Sequence, residues 1–317
     1  MDGFIPPLRP TLAGGLRACA LSHQLAAYFA IVFLGTWLTV LPLLLGQDGL
    51  GLFSYHFGDA GILFALLGSF NGPLLAAFLM TFVISGMNGM RTLLRRYVQW
   101  RVGLQWYAVA LFGYFLIWLV GYSVWLNGAP LFALMAKPWL IFSSYLAPFA
   151  LLFVMALAEE TGWRGFALPR LQERYGPLRG TLILGTLHGF WHLPALLVPG
   201  FISGGTPSAT FIAGWIATAV AATILYTWIF NNSSGSLLIA IMVHAGSNAS
   251  SALLGALVPD DPILRPWQAA IYNSRWNLAN LIPFAISAML LIVSTRGRLG
   301  YRDVGATHHN ALPTKRA

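Results

Sequence analysis

The chain has 317 residues, of which 57% are hydrophobic and only 9% charged. Soluble domains carry about 25% charged residues, so this composition excludes a water-soluble globule and indicates an integral membrane protein. The net charge of +9 would suit a nucleic-acid partner in a soluble protein, but in a membrane protein basic residues mark the cytoplasmic loops, and no nucleic acid is expected.

Residues 1–22 read as a polar, proline-containing arm with Arg9 and Arg17. They lack the compact apolar core and small-residue cleavage site of a secretory leader, so none is expected. Apolar stretches of about 20 residues then predict helices over 24–46, 62–86, 106–126, 139–160, 179–199, 208–230, 236–257 and 278–295. The expected fold is all-α: a polytopic helix bundle of about eight transmembrane helices over 23–296, followed by a polar tail, 297–317. A single cysteine, Cys19, excludes an internal disulfide and argues against a cysteine-based metal site.

Sorting the loops between eight spans places 15 of the 18 basic residues on one side. Lys137, Arg265 and Arg275 fall on the other, with Asp48, Asp59, Asp260 and Asp261. Basic residues favour the cytoplasm, so both termini are expected there. The basic, aromatic stretch Arg91–Tyr107 is expected to anchor the chain at the interface, as a positively charged loop or as an interfacial helix.

The fourth span ends on Ala158-Glu159-Glu160-Thr161-Gly162-Trp163-Arg164. Only 9 residues of the chain are acidic, and an ionisable residue at membrane depth costs at least about 2.5 kcal/mol, so adjacent glutamates here mark a functional site. Glu160 and Arg164 are four apart with the acid first, the favourable order for a helical ion pair. That leaves Glu159 for chemistry.

The fifth span carries His188 and His192, and the seventh carries His244 and Asn248, each pair four apart on one helix face. Pro194 should kink the fifth span. At a rise of about 1.5 Å per residue, His192, His244 and Asn248 lie at overlapping depths. Glu159 joins them only if the fourth helix starts later, near Pro148, and runs on through Arg164. A single histidine in a span often serves only as an interhelical hydrogen bond, and His188 is read that way as readily as a functional group. Three costly polar residues at one depth beside a glutamate are harder to explain as packing.

A carboxylate and a histidine can deprotonate water and later protonate a leaving amine. A second histidine and an asparagine can donate to an oxyanion. Glu159, His192 and His244 would also suit a zinc ion as a catalytic His/His/Glu set, although the spacing is not HExxH. The residues leave zinc and metal-free mechanisms both open. No GxSxG elbow is present, which argues against a serine protease.

The run "EETGWRGFALPRLQERYGPLRGTLILGTLHGFWHLPALL" followed by "HAGSN" resembles the CPBP family of intramembrane proteases. That family is related to the type II CAAX prenyl endopeptidases and to bacteriocin-processing and immunity-associated proteins. Its EExxxR pattern matches Glu159, Glu160 and Arg164; the histidine of FxxxH matches His192, with His188 in the phenylalanine's place; HxxxN matches His244 and Asn248. The resemblance covers a core of about 147–251.

It implies Glu159 as the water-activating base assisted by His192, His244 and Asn248 at the oxyanion, and Glu160 and Arg164 as orienting residues. His188 would be a packing residue or a partner of His192. The resemblance further implies a metal-dependent or glutamate-dependent endopeptidase in a prokaryotic plasma membrane. Its substrate would be a membrane-associated protein or peptide, cut near the cytoplasmic face. A transporter, or an immunity or scaffold protein built on the same polar core, is the alternative.

Overall fold

A computed structural model of the protein describes residues 21–199, 208–257 and 278–302. The first 20 residues of the expected arm, the tail from 303 onward, and Asp260, Asp261, Arg265 and Arg275 lie outside the described residues. The described residues form helices and connecting turns, with no strand among them.

Helix α1, Gln24–Leu45, leads through a folded loop into α2, Gly61–Tyr97. Two features shape α2. A π turn at Phe70–Leu74 contains Pro73, which offers no N–H to a regular helical ladder. Gly86 then breaks the helix at φ 56°, ψ −151°, a conformation open to glycine and strained for other residues. Beyond the break the backbone is helical again to Tyr97, so Arg91, Arg95 and Arg96 sit on a helix rather than in a loop.

Helix α3 is Leu104–Trp125 and α4 a short helix, Ala129–Ala136, in what reads from sequence as a loop. Helix α5, Ile141–Tyr175, is 35 residues long and contains a π turn at Trp163–Ala167. Gly176, at φ 82°, turns the chain into α6, Pro177–Trp191. A single turn, α7 (Leu193–Leu196), comes next. Helices α8, Ala209–Asn232, α9, Leu237–Leu257, and α10, Leu278–Ser294, complete the bundle.

Six of these helices (α1, α2, α3, α5, α8 and α9) are long and apolar enough to cross a membrane. The two remaining expected spans, the fifth and the eighth, correspond to α6 and α10, of 15 and 17 residues. Fifteen residues reach about 22 Å, short of a hydrocarbon core of about 30 Å. Helix α6 stops at Trp191, and His192, at φ −76° and ψ −6°, joins it to the single turn that carries Pro194 near its start.

Helix α9 is the centre of the bundle, with 72% of its apolar window buried. It packs against α3, α5 and α8. Its start is fixed by Ser236, whose hydroxyl accepts from Ile239 N at 3.3 Å and donates to Gln99 O at 2.8 Å. Helix α5 lies against α9, and from Ala158 to Arg164 every residue is buried. The glutamates therefore stand midway along a 35-residue helix, not at the end of a span near 160 as hydropathy alone suggests. The helix does run on through Arg164, as a site containing Glu159 requires. It begins at Ile141, earlier than Pro148, with Pro148 in the first turn of its regular segment.

Candidate active site

Successive residues on a helix point about 100° apart, so Glu159 and Glu160 face different neighbours. Glu160 is fully buried, and its Oε1 accepts from Arg164 Nη1 at 2.9 Å. The same oxygen accepts from His244 Nδ1 at 2.8 Å. The expected Glu160–Arg164 pair is thus present, and it extends to a third residue on α9. The Arg164 guanidinium also lies 4.7 Å from the centre of the Tyr226 ring, a cation–π contact inside the bundle.

Glu159 turns toward the histidines. Its Oε2 lies 3.4 Å from His188 Nε2 and 3.9 Å from His244 Nε2. Its Oε1 accepts from the Ser69 hydroxyl of α2 at 3.3 Å. His192 Nδ1 lies 3.0 Å from the carbonyl of His188, so Nδ1–H donates there and Nε2 keeps its lone pair. His244 directs Nδ1–H at Glu160, and its Nε2 faces Glu159.

Three tryptophans wall in the histidines. Ring centres of Trp163 and His188 are 4.8 Å apart, Trp191 and His192 4.6 Å, and His192 and Trp215 5.3 Å. Such apolar walls raise the strength of every electrostatic interaction between the groups they enclose.

The π turn after Glu160 helps set this arrangement. It adds a residue to one helical turn, and two of its carbonyls are held by arginines: Arg96 Nη1 of α2 donates to Gly165 O at 3.4 Å, and Arg170 Nη1 of α5 itself to Phe166 O at 3.0 Å. Single π turns of this kind cluster at functional sites because they re-aim side chains.

A cavity of about 540 Å³ opens inside the bundle. Glu159, His188, His192, His244 and Asn248 all line it, while Glu160 and Arg164 do not. The structure therefore brings together five of the expected site residues and stations the other two behind them. His188 stands nearer to Glu159 than a packing role requires. Donor atoms of Glu159, His188 and His192 lie within 4.8 Å of one another. That group could hold a metal ion, with His188 where the sequence suggests His244, and its nitrogen and oxygen donors would suit zinc.

Three participants are not evident from sequence. Ser69 reads as one polar residue in an apolar span; its only signal is the neighbouring Asn71-Gly72-Pro73, which interrupts that span with turn-forming residues. Tyr226 and Trp163 read as ordinary aromatic packing.

Residues 141–250 match the family profile described as type II CAAX prenyl endopeptidase Rce1-like. That segment is similar to the CAAX proteases. A Methanococcus maripaludis protein named CAAX prenyl protease 2 is 28% identical over 116 residues, an alignment covering 36% of this chain and 42% of that protein. The chain thus matches less than half the length of this relative. The CAAX-protease segment holds Glu159, Glu160, Arg164, all three cavity histidines and Asn248. Part of the cavity wall comes from outside it: Thr36 and Val40 of α1, Ser69 of α2, Trp118 of α3 and Phe284 of α10.

Proposed function

We propose that the protein is an intramembrane endopeptidase of CAAX type that hydrolyses a peptide bond of a membrane-associated protein or peptide. The observation that carries this is the convergence of Glu159, His188, His192, His244 and Asn248 on one cavity within an apolar bundle.

In the proposed reaction a water molecule lies between Glu159 Oε2 and the free Nε2 of His192. Glu159 takes a proton from the water as its oxygen attacks the scissile carbonyl carbon. The developing oxyanion is met by the Asn248 amide and by His244. To donate from Nε2 while Nδ1–H is directed at Glu160, His244 must carry both protons, and its charge then lies between two carboxylates. Collapse of the tetrahedral intermediate breaks the C–N bond, and Glu159 returns the proton to the leaving amine. Arg164 and Glu160 touch no substrate; they hold His244. A zinc ion held by Glu159, His188 and His192 would supply Lewis-acid polarisation of the water.

The test uses purified protein with a farnesylated CAAX peptide and its unprenylated counterpart. Cleavage in the wild type that is lost in Glu159→Gln supports the proposal. Equal cleavage by Glu159→Gln overturns it. Cleavage of both peptides alike would keep the peptidase and discard a requirement for prenylation.

A further inference from the structure

We propose that Ser69 is a positioning residue for Glu159, which makes the α2 π turn part of the catalytic apparatus. The inference rests on the endopeptidase reading above, and it concerns a residue outside the segment shared with the CAAX-protease family.

The Ser69 hydroxyl is 2% exposed and has two acceptors in reach, Ala65 O at 3.1 Å and Glu159 Oε1 at 3.3 Å. It has a single hydrogen to give. A bond back to the fourth preceding carbonyl is ordinary for a helical serine, but an ionised carboxylate is the stronger acceptor. With Oε1 held from α2, the carboxylate plane is fixed and Oε2 is turned to His188 and His244. Among the described residues, Ser69 and these histidines are the partners of Glu159.

The backbone around Ser69 delivers the hydroxyl to this point. Thr36 Oγ1 of α1 donates to Gly68 O at 2.7 Å, tying α1 to the residue before Ser69. A Cβ on Gly72 would come within 2.8 Å of Val32 O, so α1 and the π turn are in near-backbone contact. A Cβ on Gly162 would come within 2.6 Å of Pro73 Cβ, so the π turn in turn presses on α5 three residues beyond Glu159. Helices α1, α2 and α5 are clamped together on both sides of Ser69. An ordinary α-helical register through 70–74 would rotate the remainder of α2 and separate Pro73 from Gly162. The π turn is thus the element that lets one stretch of α2 give Glu159 a hydroxyl and pack on the turn below it.

The experiment compares wild type, Ser69→Ala, Ser69→Thr and Glu159→Gln. Kinetics use the farnesylated CAAX peptide, and structures of wild type and Ser69→Ala are determined in the same detergent. Ser69→Ala is expected to lower kcat about tenfold to a hundredfold, the scale of a misplaced reacting group, with KM and melting temperature unchanged. Ser69→Thr, which keeps the hydroxyl, is expected to recover most of that loss. In the Ser69→Ala structure the Glu159 carboxylate should rotate away from His188. Unchanged kcat in Ser69→Ala, equal losses in the alanine and threonine variants, or an unmoved Glu159 carboxylate would each overturn the positioning role. Cleavage that survives Glu159→Gln would overturn the endopeptidase reading instead, and the Ser69→Ala structure would still decide whether Ser69 sets the carboxylate.

Discussion

Glu160 Oε1 accepts two buried donors at once, His244 Nδ1 at 2.8 Å and Arg164 Nη1 at 2.9 Å. One oxygen thereby ties the π turn of α5 to the central helix α9. Glu160→Gln removes the charge from this pair and leaves a buried guanidinium without its counterion. Loss of one partner of a buried ion pair costs about 3–5 kcal/mol. A marked fall in the thermal midpoint of the detergent-solubilised protein is expected, partly restored in the double variant Glu160→Gln/Arg164→Gln. A stable single variant would show that the pair does not hold α5.

Asn248 should behave differently, since it lines the cavity and is half-buried. Asn248→Ala is expected to lower kcat about 10²- to 10³-fold, the loss typical of one oxyanion donor. Its melting temperature should match the wild type. A change confined to KM would place Asn248 in substrate binding and remove it from the oxyanion site.

Metal content separates the three histidines. The close donor set is Glu159, His188 and His192, so zinc taken up by the purified protein should be lost in His188→Ala and His192→Ala and kept in His244→Ala. Elemental analysis after dialysis against chelator and readdition of zinc reads this directly. Equal retention in all three variants would remove the metal from this site.

The contact between α5 and α2 can be tested at Gly162, where an added Cβ would meet Pro73 Cβ at 2.6 Å and Pro73 O at 2.8 Å. Gly162→Ala is therefore overpacked and should cost about 1–3 kcal/mol. Cleavage should fall with it, because the same contact sets the distance from Ser69 to Glu159. An alanine variant as stable and active as wild type would mean the helices part without consequence.

On the loop between α1 and α2, Asp48 accepts from His56 Nδ1 at 2.8 Å and from Phe57 N at 3.1 Å. The histidine bond, together with the weaker backbone bond, holds the Asp48 carboxyl below its usual range. A depressed carboxylate stabilises the fold above its unfolded-state pKa, and that contribution disappears as pH falls through the folded value. Proteolytic nicking of residues 46–57 should therefore rise in acid below the ordinary carboxylate range. Asp48→Asn should be nicked at neutral pH and lose this dependence.

Most of the fold was legible in the sequence because burial in a bilayer imposes long apolar runs on each spanning helix. The candidate site was also legible, in that polar groups costly at membrane depth are the ones that line the cavity. The lengths of three elements, α2, α5 and α6, were not legible. Helix α5 continues to Tyr175 because Arg164 is neutralised by Glu160 and Arg170 is laid over the Phe166 ring at 3.8 Å. No hydropathy window anticipates charges satisfied inside a helix. Helix α2 likewise passes Gly86 because glycine can take the break and still allow the helix to resume. Ser69 was illegible for a different reason: its role depends on a π turn and on a partner 90 residues away.

The cavity is assembled from two kinds of sequence. Apart from Ser69, the polar groups proposed to react lie within residues 141–250, while Val40, Ile62, Trp118 and Phe284 of its wall lie outside. These wall residues carry no ionisable group and take no part in the proposed proton transfers, and the segment shared with relatives holds no record of their exchange. Two proteins with the same catalytic core can accordingly diverge in what they cut. A substrate inferred from the core alone would then be inherited from an ancestor rather than read from the molecule, and exchanging Val40 and Ile62 between relatives, with Ser69 and the π turn kept, should move specificity while leaving the reaction in place.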